Sequence, residues 1–414
     1  MSEKILKPQI RFKGFTDAWE QRELDALLTQ RIEHQTISNI EPLLAFSYAD
    51  GVIDPENKKS NKRDFLMVDK DNKVFSRAEI NDIIYNPANV IHGAIHRNKL
   101  KNGVVSPIYK IFKCNEGVSP KFLGERLHTD NFINNISKYI EGTVIKLRTL
   151  APEQFLKMSI KISNKYEEQE KIGIVFEQLD NLITLHQRKY EKLQTLKKAL
   201  LEKMFPANND DIPQIRFKGF TDAWEQRKLK ELIRKPVSDG PHETPNLLKE
   251  GIPFISVEAI HDGIIDLDKC RGFISEEKNE EYKKKYNPEK GDVLFTKAAT
   301  IGRVAVINDT NFNVWSPIGA IKPNFNLTSS RYLFQILQTD KIKKDSIINS
   351  NNGSQLNLSM DKIEDFNISK PYSINEQNKI AIFLDELDHL ITLHQRKCEK
   401  LKNMKKALLD KMFC

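Results

Sequence analysis

Four short stretches carry side chains suited to binding a polyanion. "NKKSNKR" (Asn57–Arg63) supplies Lys58, Lys59, Lys62 and Arg63, and "HRNKLKNG" (His96–Gly103) supplies His96, Arg97 and Lys99. "DGPHETP" (Asp239–Pro245) places Asp239, His242 and Thr244 in a compact Pro-bounded loop, and "TKAATIGR" (Thr296–Arg303) places Lys297, Thr300 and Arg303 among small residues. Lysine and arginine neutralise phosphates, and short polar groups on tight loops can reach base edges. A lysine cluster is most often a solvated face. These four matter because they fall in turn-rich parts of two separated blocks. His242 and Thr244 read as positioning or base-reading groups, and the Lys58–Arg63 cluster as phosphate contacts.

Other chemistries fail on inspection. "YNPA" from Tyr85 and "YNPE" from Tyr286 approach the Asn-Pro-Pro-aromatic motif of adenine methyltransferases, but the second proline and the aromatic are missing and no Gly-rich cofactor loop precedes them. A turn at a strand start is the plainer reading. No G-x-x-x-x-G-K-[ST] phosphate loop is present. "GPHETP" has no second histidine at metal spacing, so no metal site is expected. The four cysteines, Cys114, Cys270, Cys398 and Cys414, form no C-x-x-C pair, which argues against a zinc ribbon or a disulfide framework and for a reducing cytoplasm. The 65 Lys and Arg against 57 Asp and Glu give a net charge of +8, which favours an anionic partner. The segment "MSEKILKPQI" has no apolar signal region, and no run approaches the roughly eighteen apolar residues of a membrane span.

Two repeats decide how these stretches are positioned. "PQIRFKGFTDAWEQR" occupies Pro8–Arg22 and recurs unchanged at Pro213–Arg227. "LITLHQRK" occupies Leu182–Lys189 and recurs at Leu390–Lys397, within longer related segments that end at Phe205 and Phe413. The chain therefore reads lead segment, variable block, long helix, and then the same three again. Apolar residues at three- and four-residue steps predict the helices: Ile172, Val175, Leu179, Leu182, His186, Leu193, Leu196 and Leu200, with Ile380, Phe383, Leu387, Leu390, His394, Leu401, Met404 and Leu408 in the second copy. His186 and His394 fall on this seam as buried polar elements fixing register. Each helix makes a rod of roughly 55 Å. A narrow seam on so long a rod needs a partner, and the other copy is the obvious one. "PANNDDIP" (Pro206–Pro213) is too short to run back along a rod, so the pair should be antiparallel.

The expected division is 1–166, a globular block with its lead segment; 167–205, the first long helix; 206–212, a linker; 213–374, the second block; and 375–414, the second long helix. "YNP" at Tyr85 and Tyr286, Ser-Pro at Ser106 and Ser316, and glycines at Gly142 and Gly353 recur in order, suggesting one fold with different surfaces. Strand-like runs such as "DVLFT" (Asp292–Thr296), "RVAVI" (Arg303–Ile307) and "SPIYKIF" (Ser106–Phe112) make each block mixed α/β. The fold class expected is thus mixed α/β, with two pseudo-twofold-related globules separated by two long antiparallel helices forming a coiled coil.

This layout resembles the specificity subunit of bacterial type I restriction-modification systems over nearly its whole length. The segments carrying the resemblance are "RFKGFTDAWEQR", "DGPHETP", "YNPEKGDVLFTKAATIGRVAVI" and "NEQNKIAIFLDELDHLITLHQRK" with its first-half kin. The resemblance implies two target-recognition domains, each reading half of a bipartite double-stranded DNA site, with the helices as a ruler. It further implies two modification subunits that methylate adenine, with restriction motor-nuclease subunits joining for cleavage. S-adenosylmethionine, ATP and Mg would then belong to those partners, with no cofactor and no catalytic residue in this chain. Two other readings are a coiled-coil scaffold whose globules bind protein, and a self-sufficient DNA methyltransferase, against which the missing motifs count.

Overall fold

The computed structural model describes residues 7–57, 73–140, 149–206, 210–351 and 356–413. The chain divides into two compact units, Met1–Leu185 with Lys397–Cys414, and His186–Arg396. Each is mixed α/β, and each takes part of both long helices, Tyr166–Met204 and Ile374–Met412.

In the first unit a four-stranded antiparallel sheet runs in the order Leu28–Gln30, Lys110–Cys114, Ile83–Tyr85, Ile95–Arg97. In the second the order is Ile233–Asp239, Ile318–Pro323, Val293–Thr296, Val304–Val306, again antiparallel. The chain connectivity is the same in both. Short apolar runs such as Val293–Thr296, buried at every position, sit between a helical layer and a second small sheet, which is why they lack two-residue alternation.

The lead segments explain themselves at the helix starts. The Arg11 guanidinium donates to both oxygens of Glu168, at 2.5 and 2.8 Å, and the Glu168 side chain is fully buried. Arg216 makes the same fork on Glu376, at 2.7 and 2.9 Å, with the Glu376 side chain 2% exposed. The neighbouring glutamines repeat the pattern. Gln169 accepts from the Ser119 N–H and Gln377 from the Ser329 N–H, each at the start of a short helix. The lead segment also meets the end of the other rod: Ile10 N–H donates to the Lys411 carbonyl, and Ile215 N–H to that of Lys203. Trp19 then packs on Phe122 and Phe413, and Trp224 on Phe205 and Tyr332. These aromatics are core, as is Phe176, which stacks on Phe413.

The helix segments within each unit run antiparallel. In the first, Lys405 meets Asp180 at 2.6 Å and the Cys398 thiol lies 3.9 Å from the Ile183 carbonyl. In the second, Lys197 meets Asp388 at 2.6 Å and His186 lies against His394. The inward face keeps much of the seam that the apolar spacing suggests, including Ile172, Leu179, His186, Leu193, Ile380, Leu387, His394 and Leu401, and departs from it at several other positions. Ile172, Phe176, Leu179, Ile183, His186, Tyr190, Leu193, Lys197, Leu201 and Met204 are buried or half-buried, and the second helix repeats this from Ile380 and Leu384 through Cys398, Lys405 and Met412. Leu182, Leu196, Leu390 and Met404 are instead exposed. The inward face also includes Lys197, Lys405 and Tyr190, which a count of apolar residues passes over, while His186 and His394 lie on it as the spacing suggested. Gly173 permits a close approach, since a Cβ there would lie 2.5 Å from Lys121 Cβ and 2.8 Å from the Phe122 nitrogen.

The two "YNP" landmarks are not equivalent. Tyr85 ends a sheet strand, and its positional counterpart is Phe295. The true correspondence is Glu79-x-Asn-Asp82 with Glu289-x-Gly-Asp292. In each, the aspartate accepts from the glutamate N–H, and an arginine, Arg31 or Arg234, pairs with both carboxylates. Asn81 and Gly291 hold the same left-handed turn, at φ 74° and 91°. The Ser-Pro landmarks do correspond, each preceding the second strand of its sheet, while Gly142 and Gly353 lie outside the described residues. Cys114 and Cys270 are free, and no helix among the described residues is long and apolar enough to cross a membrane.

Removing the guanidinium at Arg216 strands a buried carboxylate. Arg216→Ala is therefore expected to lower the apparent unfolding free energy by about 3 kcal/mol. Arg216→Lys, which keeps the charge but not the fork, should fall between. Chemical denaturation checks this, and an unchanged midpoint in Arg216→Ala would mean that the fork does not hold the segment.

Candidate nucleic-acid interface

At one end of the second unit's sheet, strand Ile233–Asp239 finishes, strand Val293–Thr296 finishes, and strands Ile318–Pro323 and Val304–Val306 begin. The register fixes this rim: Asp239 and Phe295 both pair with Gly319, and Phe295 also pairs with Val304. The loops leaving it hold every second-block residue singled out from the sequence: Asp239, His242, Thr244, Lys297, Thr300 and Arg303.

The Asp239–Pro245 loop is built to hold one shape. Pro241 and Pro245 are buried. Gly240 lies flat on the backbone beneath it, where a Cβ would come within 1.8 Å of the Val314 carbonyl oxygen. Glu243 is tied to helix Glu276–Lys283 by the Tyr282 hydroxyl at 3.1 Å and Lys278 at 3.0 Å. Hydrogen bonding to Lys278 and Tyr282 holds the Glu243 carboxyl below its ordinary range. His242 and Thr244 are left exposed. Asp239, completely buried, ion-pairs with Lys285 at 2.6 Å and Lys297 at 3.3 Å and lies 3.3 Å from the His242 ring.

The neighbouring loop turns tightly at Ala299, a non-glycine residue at φ 61°, which leaves Thr300 exposed at the tip. Arg303 points inward, donating to the carbonyls of Val257 and Ile260 at 2.9 and 3.0 Å. It ties the rim to the small sheet rather than to solvent. Two features here gave no signal in the sequence. Lys285 joins the Asp239 cluster from a distant segment, and the exposed Arg271 guanidinium lies 4.0 Å over the Trp315 ring. Neither stands in a motif, and only the fold brings Lys285 to Gly240 and Arg271 to Trp315.

The first unit distributes its candidates differently. Lys58, Lys59, Lys62 and Arg63 lie outside the described residues. His96, Arg97 and Lys99 follow the strand Ile95–Arg97 away from the corresponding rim, because Arg97 pairs with Ile83 at the far end of the sheet. There Arg97 bonds Asn81 and Glu177, both at 2.6 Å. Lys99 closes a ring of four charges: Lys99 and Lys405 each contact both Asp180 and Glu125 at 2.6–3.2 Å. Burial opposes both charges at the centre of this ring. The opposite charges outweigh it, lowering Asp180 and raising Lys405. The rim's positional equivalent in this unit is the loop from Asn86 to Ala94, where exposed His92 accepts a hydrogen bond on its carbonyl from the exposed Tyr48 hydroxyl.

Tyr85 and Tyr286 are core groups. Tyr85 donates to the Leu150 carbonyl at 3.1 Å and Tyr286 to Asp292 at 2.9 Å, and burial raises both phenols. His186 and His394 meet Nδ1 to Nδ1 at 2.8 Å, an arrangement in which one ring donates and the other accepts.

Residues 221–403 match the family model for the type I restriction modification DNA specificity domain, and the rim loops fall within that match. Over those residues the chain is similar to that specificity domain. It is 25% identical over 199 residues to the specificity subunit of the type I restriction enzyme EcoBI from Escherichia coli, a match covering 46% of this chain and 41% of that protein. It is 33% identical over 124 residues to a Haemophilus influenzae protein named for a type I restriction enzyme specificity subunit, covering 30% and 31%. The chain thus spans less than half the length of these curated relatives. The crystal structure of the S subunit of a type I system from M. genitalium superposes with a TM-score of 0.66 over 99% of both chains. At 15% identity that likeness is one of fold.

Two predictions follow from this geometry. Burial first, and the nearby His128 second, lower the His96 imidazole to about 4, against its hydrogen bond to the Tyr48 carbonyl. The unfolded chain takes up that proton near pH 6.5 and the folded chain only near 4. Stability is therefore full above 6.5 and falls as pH drops between those values, by about 2 kcal/mol after allowance for the ring's partial exposure. Denaturation from pH 7 to 4 should show a shallower loss in His96→Gln than in the parent, and parallel curves would refute the assignment. Gly240→Ala should cost about 1–3 kcal/mol by forcing the loop off Val314. Hydrogen exchange should then rise at residues 240–247 and 313–316 while the first unit's sheet stays protected.

Proposed function

We propose that this protein is the DNA-specificity subunit of a type I restriction-modification complex, in which each unit reads one half of a bipartite, asymmetric site. The observation that carries the reading is a duplicated frame bearing unlike rims. The Arg–Glu fork, the capping glutamine, the tryptophan wedge and the sheet order recur in both units, while the loops at the rims differ in length and chemistry. A frame made twice offers the same surface to two copies of one partner, and loops that differ can read different bases.

In this reading two modification subunits dock on the repeated parts and supply adenine methylation with their own S-adenosylmethionine. Restriction motor-nuclease subunits, using ATP and Mg, join for cleavage. The chain itself is not an enzyme. The two long helices act as the ruler between half-sites, with the His186–His394 contact and the lysine–aspartate pairs setting their register. The work of this chain is done in the cytoplasm.

The test is a methylome. The chain is co-expressed with its modification subunit, and methylated adenines are mapped in host DNA. Residues 29–165 are then exchanged for the corresponding block of another such subunit. One half of the recognised sequence should change and the other remain. A change in both halves would refute modular reading, and methylation by the chain without its partner would refute the non-catalytic role.

A further inference from the structure

We propose that the side chains gathered on Asp239 form an anion site that takes a phosphodiester group, with Asp239 as its positioning residue. The DNA-recognition reading above supplies the source of the anion; the site itself follows from its geometry.

Three cationic or donor groups reach one fully buried carboxylate from three segments: His242 from the same loop, Lys285 from beyond helix Glu276–Lys283, and Lys297 from the end of a sheet strand. A single carboxylate cannot neutralise two lysines, so the cluster keeps positive charge before His242 is counted. The Lys285 ammonium donates to the Gly240 carbonyl at 2.7 Å and faces Asp239 at 2.6 Å, which leaves one of its three N–H groups for a ligand. Exposure sorts the roles. Lys285 at 42% and His242 at 69% reach solvent, whereas Lys297 at 8% lies beneath and contributes its field. The surroundings keep these groups in place through the Gly240 contact, the buried prolines and the Glu243 ties. Arg271, over the Trp315 ring, is a further exposed cation, and the Trp315 backbone lies beside Gly240. Fixed donors with surplus positive charge suit a tetrahedral oxyanion better than a base edge.

A simple ionic staple would look similar, and the two differ in what they do to salt dependence. The full-length chain is titrated with a 30-base-pair duplex at several salt concentrations, and separately with inorganic phosphate while its thermal midpoint is followed. Lys285→Met should reduce the slope of log affinity against log salt by about 0.9 and abolish stabilisation by phosphate. Lys283→Met, the same charge change at a residue paired with Glu280, should do neither. Asp239→Asn raises the net charge, which by bulk electrostatics tightens DNA binding, but loss of positioning should weaken it. If that variant does not fold, Lys285→Met alone decides. Duplex binding by the parent with an unchanged slope in Lys285→Met would overturn this site and leave the DNA reading intact. Phosphate stabilisation without salt-dependent duplex binding by the parent would overturn the DNA reading and the phosphodiester assignment together, revealing a site for free phosphate.

Discussion

Glu168 and Glu376, each buried at the start of a long helix, each need a cation that stays. A carboxylate without water is tolerated only when its oxygens are fully engaged. Arg11 and Arg216 meet that need with two-pronged forks, and in doing so fix where the lead segment lies. From there the rest is determined in sequence. The segment delivers a tryptophan to the core, hydrogen-bonds the closing turn of the other helix, and continues into a strand that pairs with the one immediately before the rod. The identity of the two lead segments thus reflects identical sockets. Neither can drift without exposing a charge inside the protein.

The repeat architecture was legible because it is local and periodic. Two long helices were expected and two are seen, Tyr166–Met204 and Ile374–Met412, and mixed α/β blocks followed from short apolar runs with turn residues between them. The phase of the helices was legible only in part. Leucines occur on two adjacent stripes, and the inward one is completed by Lys197 and Lys405, whose burial depends on partners far away in the chain. The "YNP" pair misled for a related reason: a three-letter match carries little information, whereas the Glu-x-x-Asp turn with its arginine is defined by hydrogen bonds that letters do not show.

The candidate interface divides in the same way. Along the second block the chosen residues converge, because they lie in loops leaving one end of one sheet. Along the first, His96, Arg97 and Lys99 follow a strand to the opposite end, where the basic groups find carboxylates on helices. A basic cluster in sequence reports composition, and only the direction of the strand decides whether it meets solvent or the protein's own acids. Lys285, Arg271 and Trp315 show the converse, since residues with no motif become neighbours through tertiary folding alone.

The first unit is assembled from discontinuous chain. Its core includes Met412 and Phe413, the latter against Trp19, Phe122 and Phe176, and its ionic ring requires Lys405. The second unit uses only His186–Arg396. On a ribosome, therefore, the half that emerges first is the half that finishes last. Its aromatic socket of Trp19, Phe122 and Phe176 stays without Phe413 until some two hundred further residues are synthesised. Long-range closure of this kind is slow and leaves apolar surface uncovered in the interim. For this chain the order of translation and the order of completion run in opposite directions.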